Sequence, residues 1–291
     1  SLAPDSRAAP ATQGPGDHRR SRPRQRARRA HGAPRQYRRK FAARVAREAP
    51  DTSTRMSHGF PTPQGLYDPA HEHDSCGVGF IAHIKGQRSH AMMDDALEML
   101  HRMDHRGACG CEENTGDGAG ILTALPHEFL AGIAARELSG ELPEPGRFGG
   151  GIVYLPTRAD ERARCKEMVE EVIARQGQRL VGWREVPTDP DGADIGPTAR
   201  SGMPHIEMLI IAAGGDLADD AFERQLYLIR KQASQALRSD TSLSQRMLFY
   251  VCSLSTKVLI YKGMLTSGQV PLFFPDLSDP TYTTHLAMVH S

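Results

Sequence analysis

The stretch "HEHDSCGVGFIAHIKG", residues 71–86, sets a cysteine, Cys76, at the head of a short apolar run punctuated by glycines. A run of that length, with glycines that allow close backbone approach, reads as a buried β-strand. The thiol at its start has three readings: a small core hydrophobe, a metal ligand or a nucleophile. The polar, proline-containing "GLYDPAHEHDS" before it and the small residues after it leave the sulfur approachable.

Outward from this strand the pattern is globular. "SHAMMDDALEMLHRMDHRG" switches to helical period, with Met93, Leu97 and Leu100 at i, i+4 and i+7. Ser89 can cap its start, and Gly107 can end it after Arg102, His105 and Arg106. "GDGAGILTAL" and "GGGIVYLP" predict two further strands, and "ADERARCKEMVEEVIARQG" an amphipathic helix with Cys165, Met168, Val169, Val172 and Ile173 on one face. "RLVGWREV" and "HIEMLIIAAG" read as strands. "LADDAFERQLYLIRKQASQAL" reads as a helix, and "RMLFYVCSLSTKVLIYKGML" as two adjacent strands. No repeat period is visible, and the sum is a mixed α and β domain.

The N-terminal residues differ in character. Residues 1–55 hold 14 arginines and one lysine against four acidic residues, a formal charge of +11, with few large apolar side chains. Such a segment cannot offset its ordering entropy by burial, so it reads as a disordered Arg-rich extension. A nucleic-acid-binding arm, an organellar transit peptide and upstream sequence preceding Met56 are its three functional readings. The remainder carries 21 basic against 31 acidic residues, which argues against nucleic acid as a partner. No apolar run approaches the roughly 20 residues that span a bilayer, so no membrane role is expected. Five cysteines at irregular spacing point to a reducing, cytoplasmic setting rather than a disulfide framework.

The cysteines sort by context. Cys165 and Cys252 fall on apolar faces and read as core residues. Cys109 and Cys111 form a C-x-C pair that a zinc site could recruit together with His101 and His105, but the spacing fits zinc loosely, and no metal is assigned. Glu112, Glu113 and Asp117 suggest calcium without its twelve-residue pattern.

For Cys76 the deciding motifs are "GLYDPAHEHDSCGVGF", "HRGACGCEENTGDGAGIL", "SLSTKVLIYKGMLT" and "FFPDLSDP". Together they resemble the N-terminal part of glutamate synthase large subunits and, more broadly, the class II glutamine amidotransferases, over Gly65 to Ser291. The long "CEENTGDGAG" loop argues against other amidotransferases, whose loops are shorter. The resemblance implies an α+β fold, the N-terminal-nucleophile (Ntn) hydrolase-type four-layer αββα sandwich. It divides the chain into the extension 1–55, a propeptide 56–75 and the amidotransferase domain 76–291.

The resemblance also implies roles. Cleavage between Ser75 and Cys76 makes Cys76 the first residue, a catalytic thiol whose own α-amine serves as base, acting on L-glutamine. Arg106 helps form the substrate pocket; its structural alternative is a cation at a helix C-terminus. Gly77 and Gly79 let the backbone pass close to substrate or to a facing strand, and Asn114, Gly116 and Asp117 shape a supporting loop. The full-length family adds FMN, a 3Fe–4S iron–sulfur cluster, a reductant such as NADPH or ferredoxin, 2-oxoglutarate and a small electron-transfer subunit; none of these cofactors is expected in residues 1–291.

The family's pattern continues past the "ALVHS"-like end with an "RFSTN" segment and an Asn-Gly oxyanion pair, both beyond Ser291, so the fold is expected to be incomplete at the C-terminus. Loss of one oxyanion donor costs on the order of 100- to 1,000-fold in rate. A sample ending at Ser291 is therefore expected to turn over little or no glutamine. Turnover in such a sample that disappears on Cys76→Ala would refute this.

Overall fold

The computed structural model describes Gly65 and residues 76–291, except 107–111, 113, 139, 140 and 218; of Arg106 it describes the backbone. The expected extension 1–55 and the rest of the propeptide lie outside the described residues, as do Ser75, Cys109, Cys111, Glu113 and Gly107.

The described strands are β1 (Val78–Ala82), β2 (Ala119–Ala124), β3 (Phe148–Leu155), β4 (Arg179–Glu185), β5 (His205–Ala212), β6 (Tyr250–Val251), β7 (Val258–Gly263) and β8 (Leu286–His290). The helices are α1 (Ala91–Arg102), α2 (His127–Glu137), α3 (Ala159–Arg175), α4 (Pro197–Ser201), α5 (Asp219–Ser239) and α6 (Val270–Phe273). Sheet A has the order β1-β8-β2-β7 and sheet B the order β4-β5-β3-β6. Every pairing in both is antiparallel.

Alternation along the strands assigns the faces. Ile121, Tyr261, Ala287 and Val289 of sheet A join Met93, Leu97 and Leu100 of α1 in one core. Phe148, Ile152, Met208 and Ile210 of sheet B enter the same core. The other face of sheet B, with Val153, Leu155, Leu209 and Ile211, is covered by α3 and α5. Of the apolar stripe predicted for α3, Cys165, Val169, Val172 and Ile173 are buried and Met168 is half-buried; on α5, Phe222, Leu226, Ile229 and Ala233 are buried at helical spacing. Each large side chain so buried contributes about 1.5–3 kcal/mol.

Three expectations change. β1 is not a buried strand: Val78 is 62 % and Phe80 76 % exposed, because α1 covers only the opposite face. The two strands read in residues 246–265 do not pair with each other; β6 joins β3 in sheet B and β7 joins β2 in sheet A. The crossing is possible because Gly151 lets the Ser253 carbonyl lie against β3, where a Cβ would stand 1.7 Å from that oxygen. Third, α1 stops at Arg102, ahead of a separate 3-10 turn at Asp104–Arg106. Ser89 does serve the start of α1, its hydroxyl accepting from the Met92 amide at 3.3 Å.

A buried charge cluster joins sheet B to the segment after α6. Arg184 donates to both carboxylate oxygens of Asp276, at 2.6 and 2.9 Å, and to Glu137 at 3.0 Å. Tyr261 of sheet A donates to the same Asp276 at 2.8 Å. Burial alone lowers the Arg184 pKa, but the bonds to Asp276 outweigh it and raise the value. Removing one member of such a buried pair strands the other charge, so Asp276→Ala should cost about 3–5 kcal/mol. Tyr261→Phe, which leaves the ion pair intact, should cost about 1 kcal/mol. Urea denaturation of both variants checks the difference; equal, small losses would contradict it.

Candidate active site

Backbone register places Cys76. The Gly77 amide donates to the Ser291 carbonyl at 2.7 Å, and the Ser291 amide donates back at 2.9 Å, which extends the β1–β8 ladder by one residue. Cys76 is the next residue out, and it is exposed. Across β8, Gly120 of β2 stands opposite His290, as Val78 does on the β1 side. Cys76 and the loop entering β2 therefore leave sheet A at the same end, with one strand between them. Two strand spacings separate them laterally by about 10 Å.

That loop, residues 112–118, is clamped. The Asn114 carbonyl accepts from the Gly196 amide at 2.8 Å and from Gln269 Nε2 at 2.9 Å. Glu112 receives the Thr115 hydroxyl at 2.6 Å, and the Thr198 hydroxyl and amide at 2.7 and 3.1 Å. These bonds hold the Glu112 carboxyl below its ordinary pKa, the Thr115 hydroxyl contributing most. The same bonds occupy a carboxylate that a calcium reading would need. Gly116 packs its backbone on that of Leu265 and Thr266; a Cβ there would sit 2.3 Å from the Leu265 carbonyl oxygen. Asn114 is half-buried, Gly116 buried and Asp117 exposed.

The backbone of Arg106 lies in the short turn that follows α1. It closes the 3-10 turn that begins at Asp104, and Asp104 accepts a hydrogen bond from the Ser267 hydroxyl. Ser267 follows the same Leu265–Thr266 backbone that Gly116 rests on. The turn that holds the Arg106 backbone is thereby tied to the segment after β7, just past the end of α1. Gly77 is buried in the ladder. Gly79 faces α1: a Cβ there would lie 2.7 Å from the Met99 sulfur, so its close neighbour is a helix and not a facing strand.

Two hollows adjoin the loop. One of about 520 Å³ runs from Asp117 and Gly118 to Tyr154, Tyr250 and Met247. The other, about 420 Å³, lies on the open face of sheet A between Gly118, Ile260 and Met288. Cys76 lines neither; strand register, not cavity size, marks its place. The remaining described cysteines are chemically quiet, since burial pushes the Cys165 and Cys252 thiols up to about 11.

Sequence reasoning did not find α2, α4, α6, β8 or the roles of Thr198 and Gln269. Gln269 is 155 residues from the Asn114 carbonyl it holds, and no local pattern carries that distance. For Glu112 a signal existed in the acid three residues before Thr115.

A family model for class II glutamine amidotransferases matches residues 76–291, beginning at Cys76 itself. The chain belongs to the class II glutamine amidotransferase family. Among individual proteins it is similar to the NADPH glutamate synthase large chain of Bacillus subtilis, 40 % identical over 233 residues, which are 79 % of this chain and 15 % of that protein. It is 38 % identical to ferredoxin-dependent glutamate synthase 2 of Synechocystis sp., over 75 % of this chain and 13 % of that protein. With the NADH glutamate synthase of Schizosaccharomyces pombe the figures are 39 %, 79 % and 11 %. The chain thus spans less than a sixth of the length of these relatives. The two antiparallel sheets with their helices are the α+β arrangement of the Ntn fold.

The clamp generates a prediction. Because its pKa is depressed from 4.5, Glu112 contributes stability above that pH, and the contribution is lost as pH falls through the lower folded value. Amide exchange at Thr198 should accelerate over that acid range in the native chain, and already at neutral pH in Glu112→Gln. Gly116→Ala should cost about 1–3 kcal/mol, since only backbone can move. Unchanged exchange in Glu112→Gln would remove the clamp from the account.

Proposed function

We propose that residues 76–291 form the glutamine-hydrolysing unit, with Cys76 as catalytic nucleophile after cleavage of the Ser75–Cys76 bond. The observation that carries this reading is the position of Cys76. It is an exposed thiol one residue beyond the Gly77–Ser291 pairing, at the end of sheet A from which the clamped loop also leaves.

The chemistry follows from the free α-amine. Thiols titrate near 8.5 and α-amines near 7.7–8.0, so around neutral pH the amine can take the thiol proton without a separate histidine. The thiolate attacks the carboxamide carbon of L-glutamine, the C–N bond breaks, and nitrogen leaves as ammonia with the transferred proton. Water then cleaves the γ-glutamyl thioester to glutamate and restores the thiol. While Ser75 is attached, the Cys76 nitrogen is an amide and cannot act as base. A free thiol also requires a reducing setting, which for this chain is the cytoplasm.

Arg106 is assigned to binding, its guanidinium suited to hold the substrate carboxylate bidentately. About 10 Å between Cys76 and the loop accommodates a five-carbon substrate. Gly77 and Gly79 support the nucleophile strand, and Asn114, Gly116 and Asp117 support the opposite wall.

In the whole protein the ammonia would serve the reductive conversion of 2-oxoglutarate to glutamate, with FMN, an iron–sulfur cluster and a small electron-transfer subunit. We assign those groups to the part of the relatives' length that this chain does not span. The three relatives are named for NADPH, ferredoxin and NADH yet are 40, 38 and 39 % identical to this chain, so the electron donor is set elsewhere too.

N-terminal sequencing and peptide mass analysis of the protein from its natural cell test the reading. The expected result is an N-terminus at Cys76 and covalent modification of Cys76 by 6-diazo-5-oxonorleucine, a glutamine-shaped electrophile, blocked by excess glutamine. An active protein with Cys76 internal, or labelling that glutamine does not block, would sink it.

A further inference from the structure

The larger hollow beside the 112–118 loop has no part in the glutamine chemistry, yet its lining is selective. Its walls include Ile195, Ile206, Leu265 and Phe273, each buried in the shared core, so the space is preformed. Its volume of about 520 Å³ falls in the range that holds small organic ligands. Met247 and Met264 also line it and are 75 % and 52 % exposed, which gives it an accessible mouth edged by soft, adaptable side chains.

A half-buried cation faces this apolar space. Lys262 of β7 donates from Nζ to the Tyr250 hydroxyl at 3.0 Å, with Nζ 4.5 Å from the centroid of the same ring. Tyr250 lines this hollow and not the one on the open face of sheet A, so the ammonium is drawn to this side. The Tyr154 hydroxyl donates to the Lys262 carbonyl and fixes the backbone from which the side chain springs. An ammonium carries three donors, of which the tyrosine oxygen takes one. Among the described residues Lys166 and Lys257 are ion-paired, with Glu207 at 2.7 Å and Asp220 at 2.9 Å, whereas no carboxylate pairs with Lys262. The acid in the lining, Asp117, is exposed.

We propose that this hollow binds an amphipathic monocarboxylate, an aromatic or branched aliphatic body on a short acid arm. The carboxylate accepts from Lys262 Nζ, and the body lies against Ile195, Ile206 and Phe273. Apolar walls alone give no orientation, and a lone lysine in water holds an anion weakly. A charged hydrogen bond beside walls from which the ligand displaces water is stronger than either. The hollow meets the 112–118 loop at Gly118 and α4 at Ala199, next to the Thr198 that holds Glu112, so an occupant touches the elements that fix that loop. Cys76 does not line it, and the site is independent of glutamine chemistry.

Calorimetric titration of the full 291-residue chain with 2-naphthylacetate, and separately with its neutral amide, tests this. One saturable site is expected for the acid, with the amide roughly tenfold or more weaker for want of the charged hydrogen bond. Lys262→Met keeps the stem of the side chain and should remove that preference. Ala199 lines this hollow and not the one on the open face, so Ala199→Leu should abolish binding of both compounds. Cys76→Ala should leave the affinity for the acid unchanged. Should circular dichroism show a variant unfolded, amide exchange on the native chain decides in its place: the acid should protect residues 203–206 and 262–265. Absence of a saturable site, equal affinity for acid and amide, a preference that survives in folded Lys262→Met, native affinity in folded Ala199→Leu, or protection only elsewhere would overturn the proposal.

Discussion

The placement of Cys76 depends on one backbone pairing, the two hydrogen bonds between Gly77 and Ser291 that continue the register of β8 between β1 and β2. Each such bond contributes only about 0.5–1.5 kcal/mol net, but register is all or none. A slip by one residue would turn Val289 and Ala287 out of the core and carry Cys76 to the other face of the sheet. The apolar burial of those two residues against α1 therefore secures the position of a thiol that makes no core contact itself.

The loop that leaves sheet A at the same end is held by different means. The 112–118 loop has little apolar surface to bury, and its shape comes from hydrogen bonds that end on α4 and on Gln269. Gly116 admits the Leu265–Thr266 backbone, and Ser267 on the same segment reaches Asp104 next to the Arg106 turn. Three stretches distant in sequence thus share one short piece of chain after β7.

Sheet A has chemically distinct ends. At one stand an exposed thiol and a hydrogen-bonded loop that carries the Glu112 carboxylate; at the other, burial and the Arg88 charge hold His127 and His285 below the usual imidazole pKa. Its uncovered face, with Val78, Phe80 and Met288 exposed, runs between them. Sheet B has no such asymmetry, because α3 and α5 cover one face and the shared core fills the other.

Much of this was legible along the chain. The periodicity of α3 and α5 named their buried faces, since a helix repeats its environment every 3.6 residues and the pattern is local. Cys76 at a strand head was visible in the sequence, while Arg106 and Asn114–Asp117 were singled out only by a family resemblance, which pointed to the amidotransferase class that residues 76–291 match. Composition and period could not say that β1 has an open face, that the strands of residues 246–265 part into different sheets, or that β8 lies at the centre of sheet A. Nor could they bring Arg88 to His285, or Gln269 to Asn114. Those facts depend on which segments pair across more than a hundred residues, and that choice is made by the packing of the whole core rather than by any stretch of sequence alone.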